Sequence, residues 1–189
     1  MKIGVLALQG AFREHRLMME QCGVQAVEVR KPEQLAELDG LIIPGGESTT
    51  IGKLLNDWGL LEAIKARAAN GMAIFGTCAG LILLAKDIVG SDQPRLGLMD
   101  IVAARNAFGR QRESFEADLQ VAELGNEPVR AVFIRAPQIE SAGSDVQILA
   151  SVNGKAVIAR QGKLLVAAFH PELTTDDRLH RYFISVIEE

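Results

Sequence analysis

Apolar strand patterns alternate with helical patterns through the first half of the chain, and this alternation limits the fold more than any other feature. Short apolar runs that are typical of buried strands cover residues 3–8, 24–29, 41–43 and 72–75. Apolar residues at helical spacing lie between them, at 12–22, 32–38 and 54–69. Strands that alternate with helices in this way form parallel βαβ units with right-handed crossovers. The sequence therefore predicts a three-layer α/β fold.

The second half of the chain has a different pattern. Strand-like runs at 129–134 and 146–152, with few convincing helices, predict an antiparallel or mixed extension of the sheet. Residues 164–169 form another apolar run, and the last helix follows it with a clear apolar stripe. Thr174 and Asp177 predict a capping box at the start of that helix. Because no linker or repeat interrupts the 189 residues, we expect a single domain over residues 1–189.

Composition excludes several classes of function. The net charge is −4 and no block of lysine and arginine stands out, which argues against a nucleic-acid partner. No run of 18 apolar residues exists, so we expect no membrane span. Two cysteines, Cys22 and Cys78, suit a reducing compartment better than a disulfide framework. His15, His180 and Cys22 lack the spacing of a metal site. We therefore expect a soluble, cytoplasmic protein with no bound metal or cofactor.

Cys78 lies in the most specific local motif. It is flanked by Gly76 and Gly80, follows an apolar strand pattern and precedes a helical run. A nucleophile on a sharp strand–turn–helix elbow requires this arrangement, because small residues on either side let the strand and the helix approach closely. The helix N-terminus also favours thiolate over thiol. We interpret Cys78 as a nucleophile.

His170 is the candidate base for this nucleophile. It follows the apolar run 164–169, and the strand before Cys78 would end at the same edge of a parallel sheet. Glu172 lies two residues further on, where a carboxylate can orient the imidazole and stabilise its charged form. Cys78, His170 and Glu172 thus form a candidate triad. The other histidines, His15 and His180, lie within helical patterns, and we interpret them as partly exposed or packing residues.

A glycine-rich loop at 44–49 (Pro-Gly-Gly-Glu-Ser-Thr) also follows a strand and should reach the same edge of the sheet. Acyl transfer through a cysteine generates an oxyanion that needs two hydrogen-bond donors. The backbone N–H groups of Ala79 and Gly46 are the candidates. A plain turn with Ser48 or Thr49 as a helix N-cap is the alternative for this loop, and both can hold together.

Together these motifs resemble the class I (triad) glutamine amidotransferases. The resemblance lies in residues 76–80 (Gly-Thr-Cys-Ala-Gly), 170–172 (His-Pro-Glu) and 44–46 (Pro-Gly-Gly). Further stretches are similar to the glutaminase subunits of pyridoxal 5′-phosphate synthases. They are 4–10 (Gly-Val-Leu-Ala-Leu-Gln-Gly), 14–15 (Glu-His), 45–50 (Gly-Gly-Glu-Ser-Thr-Thr), 105–111 (Arg-Asn-Ala-Phe-Gly-Arg-Gln) and 114–116 (Ser-Phe-Glu).

The resemblance implies a flavodoxin-like domain with a mixed, mainly parallel sheet. It also implies that Cys78 attacks the side-chain amide of L-glutamine, that His170 moves the protons and that Glu172 orients His170. The ammonia would pass to a synthase subunit that makes pyridoxal 5′-phosphate from a pentose phosphate and a triose phosphate. The residues that the resemblance assigns to glutamine binding are Gly46, Glu47, Ser48, Arg105, Ile134 and Arg135.

Three other functions compete with this interpretation. A glutaminase that serves another synthase, such as imidazole glycerol phosphate synthase, would use the same triad. A cysteine hydrolase or peptidase of similar fold would act on esters or peptides, and it leaves Arg105 and the Gly46 loop without a role. A binding subunit without activity would not need Cys78, His170 and Glu172.

Overall fold

The computed structural model describes residues 1–105 and 114–189. Its strands are β1 (Lys2–Leu6), β2 (Gln25–Val29), β3 (Gly40–Ile43), β4 (Ala73–Thr77), β5 (Ala85–Ile88), β6 (Met99–Ala104), β7 (Ser114–Leu119), β8 (Val129–Ile134), β9 (Gln138–Ala142), β10 (Gln147–Val152), β11 (Lys155–Gln161) and β12 (Leu164–Ala167). Its α-helices are α1 (Phe12–Gln21), α2 (Ser48–Asp57), α3 (Leu60–Ala69), α4 (Ala79–Leu84) and α5 (Arg178–Glu188). Short 3-10 helices cover Pro32–Leu35, Ala122–Leu124 and Pro171–Leu173.

In the described ranges, ten strands form one sheet in the order β2-β1-β3-β4-β12-β11-β9-β6-β5, with β10 paired to β11. The strands from β2 to β12 along this order are parallel to their neighbours. The pairs that β11 makes with β12, β10 and β9 are antiparallel, as is the pair of β9 with β6. The expected mixed, mainly parallel sheet is therefore confirmed. Because β3, β4 and β12 run in the same direction, their carboxyl ends share one edge.

Helices cover both faces of this sheet, as alternation along β4 shows. The ring of Phe75 packs against His15 of α1 and against Phe183 of α5. The next residue, Gly76, faces the backbone of Gly80 in α4. Since successive residues of a strand point to opposite faces, α1 and α5 lie on one side of the sheet and α4 on the other. The three-layer α/β arrangement follows from these contacts.

Residues 129–134 form a strand as expected, but this strand does not extend the main sheet. Instead β8 pairs with β7 in a separate antiparallel ribbon. Phe133 of β8 stacks on Phe115 of β7 with ring centroids 4.5 Å apart and also contacts Phe169. The apolar side of the ribbon thus packs over the end of β12. This brings the chain after β8 to the edge where the parallel strands end.

Several element boundaries differ from the sequence-based expectation. The helical pattern at 54–69 is two helices, because the chain breaks at Gly59, which has a left-handed φ of 71°. The pattern at 32–38 is a 3-10 helix that ends at Leu35. The predicted capping box is wrong: helix α5 has no side-chain cap, and Thr174 instead accepts a hydrogen bond from the Asp176 amide.

No helix in the described parts of the chain is long and apolar enough to cross a membrane.

Candidate active site

A cavity of about 750 Å³ opens at the edge where β3, β4 and β12 end. Segments at the ends of four strands meet there. They are the loop after β3, the turn after β4, the chain after β12 and the residues at the end of β8. The cavity is lined by Gln9, Gly46, Glu47, Ser48, Thr49, Cys78, Ala79, Ile82, Val89, Ala104, Arg105, Ile134, Arg135 and His170. All residues predicted to bind glutamine line it, together with Cys78, Ala79 and His170. Glu172 lies behind His170.

Cys78 has an unusual backbone conformation at the turn between β4 and α4. Its φ is 48° and its ψ is −102°, a region that residues other than glycine rarely adopt. The thiol is largely buried and lies 3.9 Å from the carbonyl oxygen of Ile134. Strained backbone of this kind clusters at active sites, where the surrounding structure holds it in place.

The glycines beside Cys78 are required by close packing. A Cβ atom on Gly80 would overlap the carbonyl oxygen of Ile43 in β3. A Cβ atom on Gly76 would clash with the backbone of Gly80, because the strand and the helix pack against each other at the elbow. The flanking glycines thus let the sharp turn form and let the thiol point into the cavity.

His170 and Glu172 lie directly beside Cys78. His170 Nδ1 is 2.7 Å from Glu172 Oε1, and the Cys78 side chain lies next to the imidazole, since both lie beside Gly45. The Glu172 side chain is fully buried, and His170 is only slightly exposed. Gly45 passes so close to His170 that a Cβ atom there would overlap the ring. The structure therefore brings the three predicted triad residues together in the order thiol, imidazole, carboxylate.

The charged forms of His170 and Glu172 stabilise each other. Burial alone would lower the pKa of His170, but the interactions with Cys78 and Glu172 raise it to about 10. Burial would raise the pKa of the Glu172 carboxyl, yet His15 and His170 hold it below its ordinary value. The raised pKa of His170 favours an imidazolium between the Glu172 carboxylate and the sulfur of Cys78.

The loop after β3 is fixed by a residue near the amino end of the chain. The Gln9 side-chain oxygen accepts a hydrogen bond of 2.8 Å from the Glu47 amide, and the Ala11 amide donates to the Gly45 carbonyl. The Gly46 amide belongs to the same loop. Gln9 was not among the predicted site residues, although Gln9 lies in the stretch 4–10 that carries the resemblance.

The predicted binding residues form a polar rim around the cavity. Arg135 Nη2 and Glu47 Oε1 make an ion pair of 3.0 Å. The side-chain oxygen of Gln93 accepts hydrogen bonds from the Ser48 hydroxyl and from Arg105. Glu47, not Ser48 or Thr49, occupies the N-cap position of α2, and no side-chain oxygen caps the helix. The rim therefore carries two guanidinium groups and one carboxylate.

Of the two expectations for His15 and His180, partly exposed or packing, the structure agrees with packing. Both are completely buried, and His15 Nδ1 lies 2.9 Å from His180 Nε2. His15 Nε2 lies 3.0 Å from Thr77 Oγ1 and 3.3 Å from Glu172 Oε2. Helical spacing indicated that these positions face inward. It carried no signal that the two helices meet behind the triad.

Some predictions fall on residues that the structure does not describe. The motif residues Asn106, Ala107, Phe108, Gly109, Arg110 and Gln111 lie outside the described ranges, whereas Arg105 and residues 114–116 lie inside them. Within the described ranges, no group of three or more His, Cys, Asp or Glu side chains could hold a metal ion.

Comparisons with known proteins agree with this geometry. The proteins named "Pyridoxal 5'-phosphate synthase subunit PdxT" of Carboxydothermus hydrogenoformans and Desulforamulus reducens are 61% and 62% identical to the chain. The alignments cover 99% and 100% of this chain and 98% and 100% of those relatives. A crystal structure of a glutamine amidotransferase superimposes with a TM-score of 0.94 at 52% identity, over 99% of both chains. The model of the SNO glutamine amidotransferase family matches residues 5–189. The chain belongs to the SNO glutamine amidotransferase family.

Proposed function

We propose that this chain is the glutaminase subunit of a pyridoxal 5′-phosphate synthase. It hydrolyses L-glutamine to L-glutamate and ammonia. The ammonia goes to a synthase subunit that builds pyridoxal 5′-phosphate from a pentose phosphate and a triose phosphate. The alignment of Cys78, His170 and Glu172 at the base of the cavity carries the proposal. The names of the close relatives support the choice of synthase.

In the first half of the reaction the sulfur of Cys78 attacks the side-chain amide carbon of glutamine. A C–S bond forms and the carbonyl electrons move to oxygen, which gives a tetrahedral oxyanion. The backbone N–H groups of Ala79 and Gly46 are the proposed donors to this oxyanion, and the lining of the cavity by both residues supports this assignment. The C–N bond then breaks and the His170 imidazolium gives its proton to the leaving nitrogen. Ammonia departs and a thioester remains.

In the second half a water molecule attacks the thioester carbon. His170, now neutral, takes a proton from this water, and a second oxyanion forms on the same donors. The C–S bond breaks, glutamate leaves, and the Cys78 thiolate again faces an imidazolium. Glu172 keeps the Nδ1–H of His170 directed at its own Oε1 throughout, so that Nε2 stays on the side of the sulfur.

The polar rim matches the amino-acid end of glutamine. The free substrate carries an ammonium and a carboxylate on its α-carbon, and the rim offers the Glu47 carboxylate and the guanidinium groups of Arg105 and Arg135. An arginine binds a carboxylate through two parallel hydrogen bonds, which a lysine cannot do. Exposed ion pairs such as Arg135–Glu47 contribute little to stability. The substrate can therefore replace this pair at small cost.

The core and the cysteines support two further parts of the proposal. One apolar core extends from Ile3 in β1 to Phe183 in α5, which favours a single glutaminase domain over residues 1–189. Both cysteines are free, which is typical of proteins in the cytoplasm.

The experiment measures glutamate release from L-glutamine by the purified chain and by Cys78→Ala. Each is assayed with and without a candidate pyridoxal 5′-phosphate synthase subunit. We expect turnover that rises when the synthase subunit is present and falls to background in Cys78→Ala. Cys22→Ala is the matched control, because it removes the other free cysteine and leaves the cavity intact.

Two results would contradict the proposal. If turnover does not change when this synthase subunit is added, the chain is still a glutaminase but serves another synthase. Hydrolysis of esters or peptides without release of glutamate from glutamine would keep the nucleophile and reject the substrate.

A further inference from the structure

A second layer of buried polar groups lies behind the triad. His15 of α1, Thr77 of β4 and His180 of α5 are all completely inaccessible to solvent. They come from three different elements and meet next to the buried side of Glu172. The mechanism above uses none of them. Buried polar groups are costly unless they are paired, so this layer needs a physical account.

The two oxygens of Glu172 have different surroundings. Oε1 accepts the hydrogen bond from His170, whereas Oε2 has no aligned hydrogen-bond partner among the described residues. His15 Nε2 lies 3.3 Å from Oε2. This contact is longer than an ideal charge-assisted hydrogen bond. Catalytic contacts are commonly long in the free enzyme and tighten when substrate binds.

The contacts around the two histidines favour one set of proton positions. His15 Nε2 faces a carboxylate oxygen and a hydroxyl, so a proton on Nε2 is favourable and a lone pair there would face the negative charge of Glu172. His15 Nδ1 then accepts, and His180 Nε2 donates to it. This leaves a lone pair on His180 Nδ1, which is the one ring nitrogen of the pair without a partner in the described structure.

Both rings are neutral in this arrangement. Burial lowers the pKa of His15, although the neighbouring Glu172 opposes this, and burial lowers the pKa of His180 well below its ordinary value. The titratable groups around His15 come from every adjacent element. They are Glu172 and His170 after β12, His180 in α5 and Glu14 in its own helix.

We propose that His15 is a positioning residue for the triad: its Nε2, protonated in the tautomer that His180 favours, lies 3.0 Å from Thr77 Oγ1 and 3.3 Å from the outer oxygen of Glu172, and keeps this carboxylate ionised and directed at His170. The proposal rests on the proposed function in that it takes the triad to be the catalytic group. His15 does not line the cavity and touches no substrate atom. It acts only through Glu172.

The proposal predicts how the triad responds when His15 is replaced. Without His15, the buried Oε2 of Glu172 loses its neighbouring imidazole, and the carboxylate binds a proton more readily. A protonated Glu172 no longer stabilises the His170 imidazolium, and the thiolate of Cys78 loses its counter-ion. The reaction of Cys78 with an alkylating agent should then require a higher pH.

The first test follows alkylation of Cys78 by iodoacetamide as a function of pH, with peptide mass spectrometry as the readout. In His15→Leu we expect the midpoint to move to higher pH by about one unit, as for the loss of one hydrogen bond to a charged group. His15→Gln, whose amide N–H replaces Nε2–H, should restore most of the shift. Alkylation of Cys22 in the same samples is an internal reference and should not change.

Met19→Ala is the matched control. Met19 is fully buried one turn further along α1, and its truncation opens a cavity without removing a polar partner of the triad. An unchanged midpoint in His15→Leu would overturn the proposal. So would an equal shift in Met19→Ala, or a His15→Gln variant as impaired as His15→Leu.

A second measurement needs no variant. Long-range ¹H–¹⁵N correlation spectra of the unmodified protein report which ring nitrogen of each histidine carries the proton. We expect the proton on Nε2 in both His15 and His180. A proton on Nδ1 of His15 would reject the proposed donor, whether or not any variant folds.

Turnover completes the test. With the synthase subunit present, His15→Leu should lower kcat about tenfold, the loss expected from one hydrogen bond to a charged group, and leave KM unchanged. An increase in KM alone would contradict a role that acts through Glu172. If the unmodified protein releases no glutamate, the proposed function is wrong. The alkylation and the spectra then still test the role of His15.

Discussion

The conformation of a single residue, Cys78, connects the fold to the chemistry. A residue held at its φ of 48° costs about 1–3 kcal/mol in backbone strain. Hydrogen bonds hold it there: its amide donates to the Ala167 carbonyl of β12, and its carbonyl accepts from the Ile82 amide in α4. The strand on one side and the helix on the other therefore fix the direction of the thiol. The side chain is placed before any substrate arrives, so its positioning costs nothing during the reaction.

Glu47 allows a test of substrate recognition at the same scale. Glu47→Gln removes the negative charge that we assign to the α-ammonium of glutamine, but it keeps the backbone amide that donates to Gln9. We expect KM for L-glutamine to rise about tenfold, as for the loss of one charge-assisted hydrogen bond, while kcat changes little. Steady-state assays of glutamate release with the synthase subunit present measure both constants.

The matched comparison uses a substrate without the ammonium group. α-N-acetyl-L-glutamine should be hydrolysed poorly by the unmodified protein, and Glu47→Gln should make it little worse. If Glu47→Gln impaired the hydrolysis of both substrates equally, Glu47 would act by shaping the loop and not by binding the ammonium group.

At the residue scale, the sequence was informative where chemistry depends on local spacing. Cys78 between two glycines and His170 two residues from Glu172 could be selected because each motif lies within a few positions. His15 and His180 are 165 positions apart in the chain. Their partnership depends on the packing of the first and last helices on one face of the sheet, and no local pattern encodes it.

At the scale of elements, the parallel strands were predictable because each is a short apolar run between helices. Every position of β3 and β4 is buried and most are apolar, as expected for strands covered on both faces. The ribbon of β7 and β8 could not be assigned in this way. Its alternating burial fits an extension of the main sheet equally well, and pairing partners depend on contacts distant in sequence.

The break between α2 and α3 gives a prediction at this scale. Gly59 has a φ of 71°, and a Cβ atom there would meet only Pro32 Cγ, at 4.0 Å. Gly59→Ala therefore tests backbone strain almost free of steric clash. We expect the free energy of unfolding to fall by about 1 kcal/mol, the cost of placing an L-residue in the left-handed region. Urea denaturation monitored by circular dichroism measures it.

Gly59→Asn is the control, because asparagine tolerates left-handed backbone better than alanine. It should lose less stability than Gly59→Ala. Equal losses in the two variants would mean that the break does not depend on the backbone conformation of this residue.

At the scale of the whole molecule, buried histidines link the active site to the pH dependence of stability. Burial lowers the pKa of His15 and His180, so both are neutral when folded, but they bind protons in the unfolded chain below about pH 6.5. Their contribution to stability is present above this pH and is lost as the pH falls. His170 behaves in the opposite way. Its folded pKa is raised to about 10, so its contribution is complete below about pH 6.5 and is lost between there and pH 10.

The last prediction concerns the free energy of unfolding below neutral pH. The two neutral histidines dominate its pH dependence there until carboxylates begin to titrate. Each contributes a slope of about 1.4 kcal/mol per pH unit, since unfolding takes up one proton per histidine. The free energy of unfolding of the unmodified protein should therefore fall below about pH 6, with a slope that approaches twice this value while both histidines stay neutral in the folded protein. In His180→Leu only His15 remains, and the slope should be halved, even though the variant is less stable at every pH. Urea denaturation at closely spaced pH values measures the slope separately from the absolute stability. An unchanged slope would mean that His180 is already charged in the folded protein, and the hydrogen bond it donates to a neutral His15 would have to be reassigned.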